Sequence, residues 1–335
     1  MSFVAFGEIM LRLSPADFSN KIRTSQAFDV GYAGSESNVA SSLGKLGNQV
    51  SYITKLPGNQ LGDAAISSIR GFGIDTKYIV KGGNRIGTYF VEIGSSIRPS
   101  SVIYDRKGSA ISELSSEEFD WEEILLNKKW LFLSGITPVL SEQCALETIK
   151  AAEIAKKMGV KVAFDMNYRR SLWNNPADAR KIFDKILKHT DLLFGNFGVL
   201  KDVYEMQAKG SNISEQTLKV AFDASKKFNV PHIAFTIRKH ISASNNLVSA
   251  IYISGSKHYI SDSYDVEITD RFGTGDAFAA ACLHAINHDW KNDDIINFGA
   301  AAFALKHTIK GDQHTSDEKE ILSIMIGNAG GYVLR

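Results

Sequence analysis

Short apolar runs recur along the chain, and each is bounded by polar or turn residues. They cover residues 3–6, 50–53, 130–133, 160–164, 192–194 and 233–235. Longer stretches with helical spacing of apolar residues occur at 36–46, 143–158, 177–188, 214–228 and 276–287. Gly47 and Gly159 follow two of these stretches, where a glycine commonly ends a helix. The alternation predicts an α/β fold whose central sheet is mostly parallel, with helical crossovers between the strands.

Two segments break this rhythm, at about residues 10–33 and 85–110. They carry alternating aromatic and β-branched residues without a helical period, and Gly87, Gly94 and Gly108 interrupt the second one. We predict a small β-sheet lid beside the main sheet, the alternative being two surface hairpins. No linker or repeat divides the chain, so residues 1–335 are predicted to form one domain.

The composition is that of a globular protein and limits the general binding classes. Of the 335 residues, 44% are hydrophobic and 22% are charged, and 38 Lys and Arg nearly balance 37 Asp and Glu. The net charge of +1 gives no reason to expect binding to nucleic acid or to an anionic membrane. Any anion site must therefore be local.

The two cysteines and the first residues predict a cytoplasmic location. Cys144 and Cys282 lack the spacing of a metal or redox motif, which is consistent with a reducing compartment. The first residues carry no basic stretch, and no apolar run approaches the length of a membrane span. We expect neither export nor membrane insertion.

Residues 270–276, with the sequence DRFGTGD, carry the clearest chemical signal. Gly273 and Gly275 allow a tight turn whose N–H groups converge, and the apolar run that follows predicts a helix whose positive end points at the same place. This predicts an anion site. Asp276 would repel a phosphate there unless it takes a proton from the attacking group. The turn therefore predicts phosphoryl transfer to a hydroxyl, although it could also be an ordinary loop and helix cap.

Polar residues also follow several other predicted strands. Because ligands collect at the carboxyl ends of strands in an open α/β sheet, these residues are further site candidates. They are Gly34 with Asn38, Ser134 with Gly135, residues 165–169, and Asn196.

Several separated segments resemble the ribokinase-like (PfkB-type) sugar kinases over nearly the whole chain. Residues 31–40 (GYAGSESNVA), 43–47 (LGKLG) and 270–276 are similar to the two signatures of that family. Residues 104–110, 133–138, 165–169 and 172–173 look most like the 2-keto-3-deoxygluconate kinases, and fructokinases share parts of each. The resemblance implies a three-layer ribokinase-like fold, ATP and Mg²⁺ as cofactors, and a sugar acid as substrate.

The resemblance also implies roles for individual residues. Asp276 would be the general base, and the backbone N–H groups of Gly273, Thr274 and Gly275 would hold the transferring phosphoryl group. The implied substrate-binding residues are Gly34, Asn38, Tyr89, Tyr104, Arg106, Arg169 and Asp312. The implied nucleotide-binding residues are Asn196, Thr236, Arg238, Gly273 and Gly275. A monovalent cation and a homo-oligomer formed through the lid stay open, and the metal ligands are unknown.

Structural alternatives exist for several of these residues. Arg106 could be an exposed charge on a β ribbon, and Tyr89 and Tyr104 could simply pack across neighbouring strands. Arg169 could pair with Asp165 in a surface ion pair.

The chain departs from the family pattern at two places near the expected nucleotide site. Val199 stands where the family commonly has a glutamate that helps to hold the metal, so Mg²⁺ could instead be held through water and phosphates. Residues 236–243 (TIRKHISA) replace a Gly-x-x-Gly loop, and we interpret them as a solvated loop in which Arg238 or Lys239 could contact phosphate.

These observations predict an ATP-dependent kinase that phosphorylates the terminal 6-hydroxyl of 2-keto-3-deoxygluconate. A fructokinase or other ketose kinase is the nearest alternative. A catalytically silent sugar-binding relative is the second, because Val199 and residues 236–243 depart from the pattern.

Overall fold

The structure is a computed structural model that describes residues 2–17 and 19–327. Met1, Phe18 and residues 328–335 lie outside the described residues. All of them fall within the predicted domain, and Phe18 falls within the first predicted lid segment.

The strands of the described chain form three sheets. In chain order they are β1 (Ser2–Phe6), β2 (Met10–Pro15), β3 (Phe28–Ala33), β4 (Gln49–Ile53), β5 (Lys55–Leu56), β6 (Val80–Lys81), β7 (Thr88–Glu92), β8 (Ser101–Asp105), β9 (Trp130–Ser134), β10 (Lys161–Asp165), β11 (Leu192–Gly195), β12 (His232–His240), β13 (Asn245–Ser254), β14 (Lys257–Ile260) and β15 (Tyr264–Glu267).

The helices mostly connect or follow these strands. They are α1 (Ser35–Lys45), α2 (Gln60–Arg70), α3 (Trp121–Leu125), α4 (Glu142–Lys157), α5 (Pro176–Leu187), α6 (Phe197–Tyr204), α7 (Ile213–Phe228), α8 (Thr274–Asn287), α9 (Asn292–Lys306) and α10 (Glu318–Met325), with short 3-10 turns at Ile22–Thr24, Ala110–Glu113 and Thr137–Val139. Among the residues described, no helix combines the length and apolar character needed to cross a bilayer.

The central sheet has the order β14-β13-β12-β11-β10-β9-β1-β4, and β15 pairs with β13. Within this sheet, neighbouring strands among β12, β11, β10, β9, β1 and β4 run parallel to each other. β13 runs antiparallel to β12, β14 and β15. This confirms the predicted mostly parallel sheet and adds an antiparallel edge.

Both faces of the central sheet are covered by helices. Successive side chains of a strand point to opposite faces, and in β1 Phe3 and Ala5 join one apolar cluster while Val4 and Phe6 join another. The first cluster contains side chains from α1, α2, α8, α9 and α10, and the second contains side chains from α3 to α7. The predicted three-layer arrangement is therefore confirmed.

The predicted helices and strands are confirmed to within one or two residues at most ends, and Gly47 and Gly159 adopt φ of +81° and +74°. The interpretation of residues 236–243 as a solvated loop is wrong for its first part. Thr236 to His240 belong to β12, because β13 supplies antiparallel backbone partners as far as Asn246.

A separate small sheet has the order β3-β2-β7-β8, and its strands come from the two segments that break the main rhythm. Its inner side buries Arg12, Tyr89 and Val91 against the rest of the protein. The sheet itself is confirmed, and its action as a lid stays a prediction.

Candidate active site

Two adjoining cavities open where the parallel strands of the central sheet end. The larger has a volume of about 550 Å³ and the smaller about 70 Å³. The residues that line both are Asn167, Arg169, Phe272, Gly273 and Asp276. The junction between the cavities therefore lies at residues 270–276, the turn predicted to take part in phosphoryl transfer, which we call the phosphoryl-transfer turn.

The structure brings to these two cavities every residue to which the resemblance gives a role, whereas the further candidates Ser134, Gly135, Met166 and Tyr168 line neither of them. Those on the large cavity are Arg169, Asn196, Thr236, Arg238, Gly273, Thr274, Gly275 and Asp276. Those on the small cavity are Gly34, Asn38, Tyr89, Tyr104, Arg106, Arg169, Gly273, Asp276 and Asp312. Their placement fits two neighbouring ligand sites, and their individual roles stay predictions.

The turn before α8 has a backbone that only glycine fits well. Gly273 has φ of +73°, and a Cβ there would lie 1.7 Å from the carbonyl oxygen of Asp312. Among the described residues no side-chain oxygen caps α8, so its first N–H groups keep free donor capacity. A Cβ on Gly275 would meet no atom of the described residues within 4 Å. The turn can therefore present amides to an anion in the large cavity.

Asp276 is buried and held by two residues of α1. Ser35 Oγ donates to Oδ1 at 2.9 Å, and Asn38 Nδ2 donates to Oδ2 at 2.7 Å. Burial raises the pKa of Asp276 to about 7, although the hydrogen bond from Asn38 opposes this shift, and the negative charge of Asp165 adds to it. A carboxylate with a pKa near neutrality is well suited to accept a proton from a hydroxyl.

The raised pKa of Asp276 predicts a pH dependence for catalysis. Only the ionised carboxylate can accept the proton, so kcat/KM should fall about tenfold per pH unit below the pKa of about 7 and level off above it. The measurement is kcat/KM for the hydroxyl substrate between pH 5.5 and 8.5, with the phosphoryl donor saturating. A flat profile over this range would contradict the prediction.

Ser35 and Asn167 extend this network, and sequence reasoning gave neither a role. Asn167 Nδ2 donates to Ser35 Oγ at 2.8 Å, which orients the hydroxyl that holds Asp276. Both residues lie in the segments that resemble the family. Their place in these segments was the available indication that they belong to the site, but the hydrogen bond between them is visible only in the folded chain.

Arg12 joins the small sheet to the phosphoryl-transfer turn. Its guanidinium, 4% exposed, forms ion pairs with Asp312 and, at 2.6 Å, with Asp270. It also lies over the ring of Phe272, with 5.4 Å from Cζ to the ring centroid. Asp312 therefore reaches the small cavity as a carboxylate already held by an arginine. The sequence contains no local signal for Arg12.

Arg106 is buried and paired with Glu8, so its interpretation as an exposed charge is wrong. Ser109 Oγ also donates to Glu8, at 2.5 Å. Tyr89 and Tyr104 stack across neighbouring strands with centroids 5.9 Å apart, and both also line the small cavity. Packing and cavity lining thus coexist at these tyrosines.

Arg169 differs from Arg106 in having no fixed partner. Its side chain is exposed, and it makes no hydrogen bond or ion pair with the rest of the described chain, including Asp165. The alternative of a surface ion pair with Asp165 is therefore not found. Arg169 is a cation available to a ligand in either cavity.

The large cavity has a positive interior suited to a polyanion. Arg169, Arg238 and Arg271 line it together with the acids Asp165 and Asp276. The Nε atoms of Arg238 and Arg271 are buried and have no hydrogen-bond partner in the described chain. Burial, assisted by the neighbouring arginines, lowers the pKa of Arg238 to about 10. Unpaired buried donors of this kind fit phosphate oxygens.

Arg238 and Asn196 make protein contacts within the large cavity. Arg238 donates to Thr274 Oγ1 at 2.9 Å, which ties β12 to the start of α8. The amide oxygen of Asn196 accepts from the N–H of Val199 at 3.1 Å and so caps α6.

The cavity offers few carboxylates for a metal ion. Within the described chain no group of three or more His, Cys, Asp and Glu could hold one. Asp165 and Asp276 are the acids of the large cavity. These residues fit a Mg²⁺ ion that keeps waters and is carried mainly by nucleotide phosphates.

The comparisons with known proteins agree with this geometry. Residues 2–319 match the family described as pfkB family carbohydrate kinase. A 2-dehydro-3-deoxygalactonokinase from Haloferax volcanii is 29% identical over 328 residues, which is 98% of each chain. A 5-dehydro-2-deoxygluconokinase from Clostridium beijerinckii is 28% identical over 342 residues, covering 98% of this chain and 97% of the relative. The crystal structure of 2-dehydro-3-deoxygluconokinase from Thermotoga maritima has a TM-score of 0.95 and 42% identity over 98% of each chain.

Proposed function

Because the chain belongs to the pfkB family of carbohydrate kinases, we propose that it transfers a phosphoryl group from ATP to the terminal 6-hydroxyl of 2-keto-3-deoxygluconate. The observation that carries this proposal is the position of Asp276. Its buried carboxylate lies where the two cavities meet, and Ser35 and Asn38 hold both of its oxygens.

The reaction uses the two cavities as neighbouring substrate sites. The sugar acid occupies the small cavity with its terminal hydroxyl directed at Asp276, and ATP occupies the large one. Asp276 takes the hydroxyl proton as the sugar oxygen bonds to the γ-phosphorus. The bond to the β-phosphate oxygen breaks, which releases ADP. The amides of Gly273 to Asp276 stabilise the charge that spreads over the phosphoryl oxygens.

The arginines of the large cavity support the nucleotide half of this proposal. Arg238 and Arg271 would contact phosphate, and the Nε atom of each has no hydrogen-bond partner in the described part of the chain. Mg²⁺ would neutralise phosphate charge beside Asp165. Because the reaction consumes ATP, we propose that it takes place in the cytoplasm.

Arg169 supports the choice of an acidic sugar. The small cavity contains the acids Glu8, Glu36, Asp276 and Asp312, which would repel a substrate carboxylate. Arg106 is already paired with Glu8. We propose that Arg169 binds the carboxylate and that Arg106, whose charge is balanced by Glu8, lines the same pocket as a hydrogen-bond donor.

The first test is a substrate panel with purified protein, ATP and Mg²⁺. The sugars are 2-keto-3-deoxygluconate, 2-keto-3-deoxygalactonate, 5-dehydro-2-deoxygluconate and fructose. ADP release gives kcat/KM, and phosphorus–proton coupling in NMR identifies the phosphorylated carbon. We expect the highest kcat/KM for 2-keto-3-deoxygluconate, with phosphate on C6. A preference for fructose would favour a fructokinase, and sugar binding without turnover in calorimetry would favour a silent relative.

Replacing Arg169 by Ala should discriminate between acidic and neutral sugars. We expect kcat/KM to fall roughly 10- to 100-fold for 2-keto-3-deoxygluconate, the range for losing a hydrogen bond to a charged group. The loss for fructose should be much smaller, and the ratio of the two cancels any effect of Arg169 on the nucleotide.

Arg170→Ala is the matched control for this substitution. Arg170 is the next residue, is 77% exposed and pairs with Asp202 at 2.6 Å outside both cavities. It should change neither value. Equal losses on the acidic and neutral sugars in Arg169→Ala would contradict the assignment of the carboxylate site.

The outer side of the small sheet supports a homo-oligomer, which we also propose. On this side Val30 pairs with Leu13, and Ile103 pairs with Phe90. The side chains of Val30 and Ile103 are 64% and 55% exposed, so the side presents apolar residues to solvent. A double substitution of Val30→Glu and Ile103→Glu should reduce the mass measured by light scattering to that of a monomer. Ile97→Glu, at an exposed residue outside the strands, should not. A monomeric parent would contradict the proposal.

A further inference from the structure

Lys306 places a buried ammonium group behind the phosphoryl-transfer turn. It is the last residue of α9, and its side chain is 0% exposed. Nζ donates to the carbonyl oxygen of Ile309 at 2.9 Å and to that of Gly311 at 2.6 Å. The chain after α9 therefore folds back around the cation at the end of its own helix.

The segment held by Lys306 supports the turn that presents the amides. The N–H of Gly311 donates to Asp270 Oδ2 at 3.0 Å, and Asp270 begins the turn. The carbonyl of Asp312 lies so close to Gly273 that a Cβ would be 1.7 Å away. A shift of residues 309–312 would therefore displace the backbone at Gly273 and the amides that follow it.

Buried charges of both signs surround Lys306. Lys306 and Arg12 supply two positive charges, Asp270 and Asp312 supply two negative ones, and Asp276 is a third acid with a weaker effect on Lys306. Burial lowers the pKa of Lys306, and these acids oppose that shift. His307 and His314 are also buried nearby, and burial lowers the pKa of each to about 3, so both are neutral at neutral pH. Loss of the ammonium would leave an uncompensated buried negative charge.

Carbonyl and carboxylate oxygens of this kind are also the ligands that hard metal cations prefer. The ammonium group of Lys306 supplies a positive charge to these carbonyl oxygens, and that charge is covalently attached to the chain. The site therefore needs no ion from solution. We propose that Lys306 is a positioning residue whose ammonium acts as a built-in cation, holding residues 309–312 and thereby the phosphoryl-transfer turn. On this view, which rests on the proposed function, the kinase needs no added monovalent cation.

The first test uses the unaltered protein. Its kcat is measured with chloride salts of potassium, sodium and tetramethylammonium at equal ionic strength. We expect the three values to agree within about twofold, since the cation is part of the chain. Stimulation of tenfold or more by potassium over tetramethylammonium would overturn the proposal.

The second test removes the ammonium and replaces it. Lys306→Ala should lower kcat between about 10- and 10²-fold, the scale of loss for a displaced reacting group. n-Propylammonium, which replaces the deleted atoms, should restore at least about a third of the lost activity, and tetramethylammonium should not. Lys291→Ala, at the exposed N-cap of the same helix, should show neither effect. Unchanged kcat in Lys306→Ala, or loss without amine rescue, would overturn the proposal.

Thermal melting separates failure of this inference from failure of the proposed function. Lys306→Ala should melt several degrees below the parent, and n-propylammonium should raise its melting temperature selectively, whatever the true substrate is. If no sugar is turned over, the proposed function fails while the melting result still decides the role of Lys306. If Lys306→Ala does not fold, Lys306→Met replaces it in both tests, because methionine keeps most of the buried side chain. Rescue is then measured with ammonium chloride in place of n-propylammonium.

Discussion

Asp276→Asn is expected to lower kcat by about 10²–10⁴-fold, the usual contribution of a positioned general base. The amide keeps the shape of the side chain but cannot accept the hydroxyl proton. Burial raises the pKa of the parent carboxyl to about 7, so it is matched to proton transfer near neutrality. KM for the sugar should change much less than kcat, and residual activity should lose the pH dependence expected near pH 7.

Ser35→Ala distinguishes proton acceptance from orientation at Asp276. It removes the 2.9 Å hydrogen bond to Oδ1 and leaves the one from Asn38 to Oδ2. We expect a roughly 10- to 100-fold loss, smaller than the largest loss expected for Asp276→Asn, because a hydrogen bond to a charged group contributes roughly 1.5–3 kcal/mol. Steady-state kinetics and circular-dichroism melting of both variants provide the check. An Asp276→Asn variant that keeps more than a tenth of the parent kcat would remove Asp276 from its role.

Gly273→Ala is expected to damage both folding and catalysis. The new methyl group would overlap the Asp312 carbonyl oxygen, and the backbone must keep φ of +73°. For a residue with a Cβ, the left-handed conformation lowers the free energy of unfolding by about 1–2 kcal/mol. Relieving the overlap lowers the free energy of unfolding by about 1–3 kcal/mol more. Because that relief must move the turn or residues 309–312, kcat should also fall by at least about 10²-fold.

Two other glycines serve as controls for Gly273→Ala. Gly159 has φ of +74°, and a Cβ there would meet no atom within 4 Å among the residues that the structure describes. Gly159→Ala therefore reports the conformational cost alone and should leave kcat unchanged. Gly275→Ala should melt like the parent, since its Cβ would also meet no atom within 4 Å, but it should weaken ATP binding because the methyl enters the large cavity. A Gly273→Ala protein that melts and turns over like Gly159→Ala would refute the close-contact argument.

The central sheet could be predicted from local pattern because each of its parallel strands is a short apolar run. In β1 both faces are buried, so the run is continuous and easily recognised. The end of β12 lacked that signal. Arg238, Lys239 and His240 are polar, and only pairing with β13 makes them a strand. The cluster of charged residues pointed to a solvated loop, but backbone hydrogen bonding to β13 makes residues 236–240 part of a strand.

The candidate site divides in the same way. Gly273, Gly275 and Asp276 stand together in one heptapeptide, and the family resemblance supplied Arg106, Arg169 and Asp312 as candidates. Their electrostatic states did not follow from it. Arg106 is neutralised by Glu8, whereas Arg169 is free of fixed partners in the described chain.

The sequence by itself determined the α/β class, the small sheet, the glycine turn and the residues that gather at the two cavities. The α/β class, the small sheet and the glycine turn depend on short-range spacing and backbone conformation, which neighbouring residues largely specify, whereas most of the residues at the cavities were implied by the family resemblance. Only the tertiary structure decided that Arg12 joins Asp270 and Asp312, that Ser35 and Asn38 hold Asp276, and that Lys306 lies buried behind the turn. Most of these contacts link residues more than 200 positions apart, and burial then sets the charge and pKa of each group, which no local pattern records.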